Sequence, residues 1–200
     1  VQNGNTGDRV SDLQGVLDRT EQSASIGRVL EEIDARNPVP THVFYESTGI
    51  ARPWQLISAL SQNKRFHLRH FIVTIDALNL HRDFGDGLVL TGEMSMSDDA
   101  ALRLAAEILA EQIFFANAII LTKTDTVPNN VIETQIRVLN KLQPTATIGL
   151  STLDGFSHAH LDVASQPNIE ELRNRAQQFG LDNSDSRSKD VVAISVQDTR

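Results

Sequence analysis

Thr122-Lys123-Thr124-Asp125 follows directly on the apolar run Asn117-Ala118-Ile119-Ile120-Leu121. A strand that ends in Lys-x-Asp puts an ammonium and a carboxylate at one strand tip. Guanine presents an N1–H and an N2–H₂ side by side; a carboxylate accepts from both, and adenine offers no such pair of donors. Asp125 is therefore expected to select a guanine base, with the aliphatic stem of Lys123 lying along its ring. Upstream, His42-Val43-Phe44-Tyr45-Glu46-Ser47-Thr48-Gly49 carries an acid at a strand tip and a glycine three residues on. An acid so placed in a phosphate-binding α/β fold holds Mg²⁺, usually through water, and the glycine lets a backbone N–H approach the terminal phosphate. Glu46 and Gly49 are accordingly the candidate catalytic residues. A third acid, Asp76, closes the run His70-Phe71-Ile72-Val73-Thr74-Ile75; it either joins Glu46 in association with Mg²⁺ or caps the next turn.

A further group of metal-ligand types, His158-Ala159-His160-Leu161-Asp162, stands near the C-terminal end. Imidazole and carboxylate at alternate positions of an extended chain suit Zn²⁺, but two His and an Asp in a loop after Gly155 are more often simply solvated.

These residues need strands to hold them. Thr41 to Glu46, His70 to Asp76, Asn117 to Leu121 and Thr145 to Leu150 read as strands, and all are apolar runs rather than alternating patterns. Between them lie helical stretches. Ile26, Val29, Leu30 and Ile33 share one face of a helix reaching from about Val10 to Ala35. Pro53 suits the first turn of a short helix ending near Leu60. Ser97 reads as the N-cap of a helix with a stripe of Leu102, Ala105, Leu109 and Ile113, and Pro128 opens one whose apolar face is Ile132, Ile136 and Leu139. Leu78 to Met96 reads as a loop around Gly85-Asp86-Gly87, and a last helix spans Ile169 to Phe179. Alternation of buried strands and helices predicts an α/β fold, a mostly parallel sheet flanked by helices, with ligands bound beyond the carboxyl ends of the strands. Glu46, Asp76 and Asp125 all fall at such ends.

The chain has 200 residues, of which 40% are hydrophobic, enough for one medium domain with a real core. A formal charge of −8 argues against nucleic-acid and anionic-membrane partners, which demand clustered Lys and Arg. No run of about 18 apolar residues is present to span a bilayer. Cysteine is absent, so these residues form no disulfide and no thiolate metal site. The expectation is a soluble, cytoplasmic protein. The domain expectation is a nucleotide-binding unit over 1–181, a polar linker over 182–189, and a strand within 190–200 that begins a C-terminal domain. Because the chain opens without Met, it is expected to be a piece of something longer.

Taken in order, these motifs resemble the CobW-type P-loop GTPases, the group that includes HypB and UreG. Glu46-Ser47-Thr48-Gly49-Ile50-Ala51-Arg52-Pro53 is similar to the family's E-S/T-S/T-G-L/I-A-x-P. Ile72 to Asp76 is like its strand ending in Asp, and Gln112-Ile113 through Asp125 is like its Q-I/L-x-x-A to N-K-x-D stretch. The resemblance implies a GTP- and Mg²⁺-dependent metal chaperone or insertase that hydrolyses GTP slowly and delivers Zn²⁺ or Co²⁺ to a client metalloprotein. It also implies that Ser151 and Thr152 line the guanine pocket. Three departures accompany it. No G-x-x-x-x-G-K-S/T and no C-x-C-C occur in the 200 residues, both being expected upstream of Val1, and Thr122 stands where the family has Asn. Without a phosphate loop the chain alone is expected to be a weak GTP binder and inactive. Two other readings remain: a non-hydrolysing scaffold relative, and an ATP-dependent maturation or partition factor of a related class.

Overall fold

The computed structural model describes residues 15–17, 19–38, 40–96, 98–153, 155–156, 159–162, 164–178 and 190–195. In chain order they form β1 (Gly15–Leu17), α1 (Arg19–Asp34), β2 (Phe44–Ser47), α2 (Trp54–Gln62), β3 (Ile72–Asp76), α3 (Ala77–Phe84), α4 (Ala100–Phe115), β4 (Ala118–Thr122), α5 (Asn129–Leu142), β5 (Thr147–Thr152), β6 (Gly155–Phe156), α6 (Ala159–Asp162), α7 (Ile169–Gln178) and β7 (Asp190–Ser195). Short 3₁₀ turns occupy Gly85–Gly87 and Thr124–Thr126. The chain divides into two units, one reaching to His67 and resuming at Arg173, the other Leu68–Leu172.

In the first unit β1, β7 and β2 make an antiparallel sheet in that order. Glu46 on β2 is the register partner of Ala193. The strand bearing Glu46, expected from its apolar run to join the parallel sheet, is thus paired antiparallel with β7. Nor is it the buried strand that its apolar run led one to expect: Phe44 is 60% exposed and only Tyr45 is half-buried, so the run fixed neither the burial of this strand nor its neighbour. The helix expected from about Val10 begins at Arg19, because Gly15–Leu17 pairs with β7 as a strand. Its apolar face is as expected: Ile26, Leu30 and Ile33 are buried, and Val29, Val43, Tyr45 and Phe66 pack around Ile33. Helices α1 and α2 lie against each other, α2 burying Ile57, Ala59 and Leu60.

The second unit is built on a sheet of order β3-β4-β5-β6, in which β3, β4 and β5 run parallel and β6 returns antiparallel. The fold is therefore α/β, with a mostly parallel sheet flanked by helices. Central strand β4 is the most enclosed, with Ala118, Ile119 and Leu121 buried. They share a core with Val73 and Ile75 of β3, Leu80 of α3, Ile113 of α4, and Val131, Ile132 and Leu139 of α5. The stripe expected on α4 is displaced toward Ala106, Ile108 and Ile113, and on α5 Val131, Gln135 and Val138 are buried beside Ile132 and Leu139.

The segment read as a loop after Leu78 begins with a helix, α3. Asp76 caps it, its Oδ1 accepting from the N–H groups of Leu78 at 2.9 Å and Asn79 at 3.1 Å. Gly85 ends it in the left-handed conformation, φ 53°. Buried Gln135 then ties the segment to α5 by donating to the Ala77 carbonyl at 2.9 Å and to Asp86 Oδ1 at 3.2 Å. The cap of α4 is Asp99, which accepts from Ala101 N–H at 2.8 Å; Ser97 lies outside the described residues. So do the expected linker 182–189 and Val196. Among the described residues no helix is long and apolar enough to cross a membrane.

Candidate functional site

The carboxyl ends of three parallel strands form one rim. Register pairs Asp76 with Thr122 and Leu121 with Leu150, so the tips of β3, β4 and β5 stand in a row. Thr122 donates its hydroxyl to the Ile75 carbonyl at 3.2 Å, locking β4 to β3 at the last rung.

Beyond Thr122 the backbone turns sharply. Lys123 adopts φ 55° and ψ 36°, a left-handed conformation that non-glycine residues take at a cost. Its carbonyl accepts from the Thr126 N–H at 3.0 Å and from the Thr126 hydroxyl at 2.6 Å, closing the 3₁₀ turn. Its ammonium reaches Asp76 Oδ2 at 2.5 Å. Thr124 ties the other side of the turn, its hydroxyl donating to the Ser151 carbonyl at 3.1 Å. Asp125 is the exception. It is exposed, and among the described residues its carboxylate has no hydrogen-bond partner. The neighbours' polar groups are spent on holding the turn, and Asp125 is left with both oxygens open.

Asp76 is doubly engaged, with one oxygen on the start of α3 and the other on Lys123. Of the two roles expected for it, capping is the one these bonds describe. Burial pushes its carboxyl up, but the Lys123 hydrogen bond and charge, with the backbone N–H groups of Asn79 and Leu78, outweigh that and hold it below the ordinary 3.8. It is ionised at neutral pH.

Asp76, Thr122, Lys123 and Ser151 are thus brought together by side-chain and register contacts, with Asp125 on the same turn. Thr152, exposed, ends β5 opposite Gly155; the Ser151 hydroxyl donates to the Gly155 carbonyl at 3.4 Å. Glu46 and Gly49 stand in the first unit, both exposed, on β2 and in the turn after it. A Cβ built on Gly49 meets nothing within 4 Å, so local packing alone does not require glycine there. His158 lies outside the described residues. His160 and Asp162 belong to α6, where Asp162 is exposed. Among the described residues no group of three or more His, Cys, Asp or Glu could hold a metal ion.

Sequence reasoning passed over Thr124 and Thr126, whose hydroxyls close the turn, and Asn117, whose amide joins the opposite end of β4 to the start of β3. Threonines flanking Lys-x-Asp were a readable sign of a self-bonded turn. Nothing in the sequence marked Asn117, which stood within an apolar run.

Compared with known protein families, residues 15–149 match the family model described as CobW/HypB/UreG, nucleotide-binding domain. No solved structure matches the chain.

Proposed function

The chain belongs to the CobW/HypB/UreG nucleotide-binding family, and on that premise we propose that it is the guanine-reading part of a GTP-hydrolysing metal chaperone that passes Zn²⁺ or Co²⁺ to a client protein in the cytoplasm. The observation that carries the reading is the open carboxylate of Asp125 on a turn whose other polar groups are already bonded. Such a carboxylate matches the paired N1–H and N2–H₂ of guanine without reorganising, because the turn is fixed before the base arrives. The methylene stem of Lys123 is exposed beside it, held at its far end by Asp76. Thr152 and the Ser151 segment border the same rim.

Glu46, an exposed carboxylate followed by Ser47-Thr48-Gly49, has the chemistry to hold Mg²⁺ through water. When bound, Mg²⁺ supplies charge neutralisation on the phosphates. The part of this chain is then to orient water and to donate hydrogen bonds from the backbone N–H groups after Glu46 to phosphate oxygens. Nucleotide-dependent ordering of the Glu46–Arg52 segment is the switch that gates metal release.

The test isolates the base. GMP and AMP are titrated to millimolar concentrations while the backbone resonances of Thr122 to Thr126 are followed by NMR. GMP is expected to shift them and AMP to leave them unchanged. Asp125→Asn exchanges one acceptor for a donor, which fits the N1–H and C2 carbonyl of xanthine. The loss for GMP is roughly 100-fold, one hydrogen bond to a charged group removed and a donor set against a donor, with binding transferred to xanthosine monophosphate. Equal response to GMP and AMP refutes the reading.

A further inference from the structure

We propose that Asp76 is the positioning residue of the base-reading turn, holding Lys123 in its left-handed conformation and so aiming Asp125. The inference rests on the reading of Asp125 given above and adds to it a residue on a different strand.

The two left-handed non-glycine residues among the described ones are Asp86 and Lys123. Each is held by a side-chain bond to another element or turn. Asp86 accepts from Gln135 at 3.2 Å and contacts His81 Nδ1 at 2.8 Å. Lys123 donates to Asp76. A strained backbone persists where its surroundings over-determine it, and at Lys123 the determinant is an ion pair to the neighbouring strand. Asp76 is well suited to that work. It ends β3 as the register partner of Thr122, and the α3 N–H groups fix its rotamer through Oδ1, which leaves Oδ2 facing one way. Its side chain is 19% exposed against 59% for Lys123, so the anchored partner is the carboxylate and the movable one is the lysine. Fixing Lys123 fixes the rest, because its carbonyl takes both bonds from Thr126 and the turn between them presents Asp125. The arrangement also settles which part of Lys123 meets a base. The ammonium is committed to Asp76, and the methylenes remain.

The test uses the full 200-residue chain and Asp76→Asn. Asparagine caps a helix as well as aspartate does, so α3 is retained while the charge opposite Lys123 is lost. Amide hydrogen exchange is the first readout. Leu78 and Asn79 are expected to keep their protection, and Thr126 to exchange about fivefold faster, the upper end for a half-exposed ion pair. GMP affinity is expected to fall by a similar factor. Lys123→Met, which keeps the stem, is expected to loosen Thr126 equally, and the double variant no further. Unchanged Thr126 exchange and GMP affinity in Asp76→Asn overturns the inference. So does a uniform rise in exchange through α3 and the core, which marks Asp76 as structural only. Equal GMP and AMP binding by the unaltered protein instead sinks the reading of Asp125, and the base-reading role of Asp76 with it.

Discussion

Asn117 offers the most exacting check on the packing that supports the rim. It is 6% exposed at the base of β4. Its Oδ1 accepts from the Phe71 N–H at 2.6 Å, and its Nδ2 donates to the Ser165 carbonyl at 2.7 Å. A third contact, to the Arg69 carbonyl at 3.4 Å, is too long to count for much. Asn117→Ala removes both good bonds. Ser165 is exposed, so water replaces its partner and the loss there is about 1 kcal/mol. The Phe71 N–H is half-buried, between the end of α4 and the sheet, and an orphaned donor costs about 1–2 kcal/mol. The expected destabilisation is therefore roughly 2–3 kcal/mol, or a fall in Tm on the order of 10–15 °C for a unit of this size. Urea titration followed by far-UV circular dichroism measures it. The single tryptophan, Trp54, lies in the first unit, so its fluorescence reports that unit separately. Asn117→Asp is expected to be at least as damaging, since it keeps the acceptor for Phe71 but sets a buried carboxylate against the Ser165 carbonyl. A loss below about 0.5 kcal/mol in Asn117→Ala would show that these bonds are exchanged for water at no cost, and the reasoning would fail.

Gly87 has φ 88°, and a Cβ there would stand 2.9 Å from Val138 Cγ1. Gly87→Ala is expected to cost about 2 kcal/mol in the same titration, with part of it regained when Val138→Ala opens the space. Phe115, 1% exposed and edge-on to Phe114 at 5.1 Å, is expected to lose about 3–5 kcal/mol as Phe115→Ala. The depressed Asp76 carboxyl sets a pH dependence. Its contribution is complete above the unfolded value near 3.8 and is lost as pH falls through the lower folded value. The stability difference between the unaltered protein and Asp76→Asn, at most about 1 kcal/mol, is thus expected to stay constant between pH 7 and 5 and to narrow only below about pH 4. Urea midpoints at each pH measure it, and a difference already shrinking at pH 6 would contradict the assignment.

Strand β4 was legible because burial on both faces leaves an unmistakable run, Ala118-Ile119-Ile120-Leu121; β3 and β5 were legible from apolar runs too, although β3 buries only Val73 and Ile75 and leaves Ile72 exposed. Helices α4 and α5 were legible from their periodicity, and Pro128 marked the start of α5. Helix α3 was not: Ala77 and Leu80 are buried and Leu78 and Phe84 pack partly on the core, but the helix has only eight residues and its end merges with Gly85-Asp86-Gly87, the turn signal that dominated the segment. The cap and the buried amide of Gln135 add to that packing, and neither belongs to a hydrophobic pattern. The clustering of Asp76 with Lys123 and Asp125 at neighbouring strand tips followed from strand-end logic, and the place of Ser151 beside them was implied only by the family resemblance. The ion pair between Asp76 and Lys123 did not, since it depends on a left-handed backbone that no residue type at position 123 would suggest. Glu46 was legible as an acid near a strand end, but the pairing of that strand with 190–195 was not. Strand partners far apart in sequence leave no mark on either segment.

The placing of β4 between β3 and β5 also orders events as the chain is made. Phe71 and Asn117 are 46 residues apart, and the Thr124 hydroxyl finds Ser151 27 residues on. Loop-closure entropy must be met before any of those contacts repays it. A growing chain that has released only β3 and α4 holds one strand with no neighbour from this sheet, and its Val73 and Ile75, which end buried, lack their β4 neighbours until that strand emerges. The sheet is first complete on both sides of β4 when Thr152 is out. Translation pausing before that point prolongs the interval in which a bare apolar strand must be shielded by something other than its own protein.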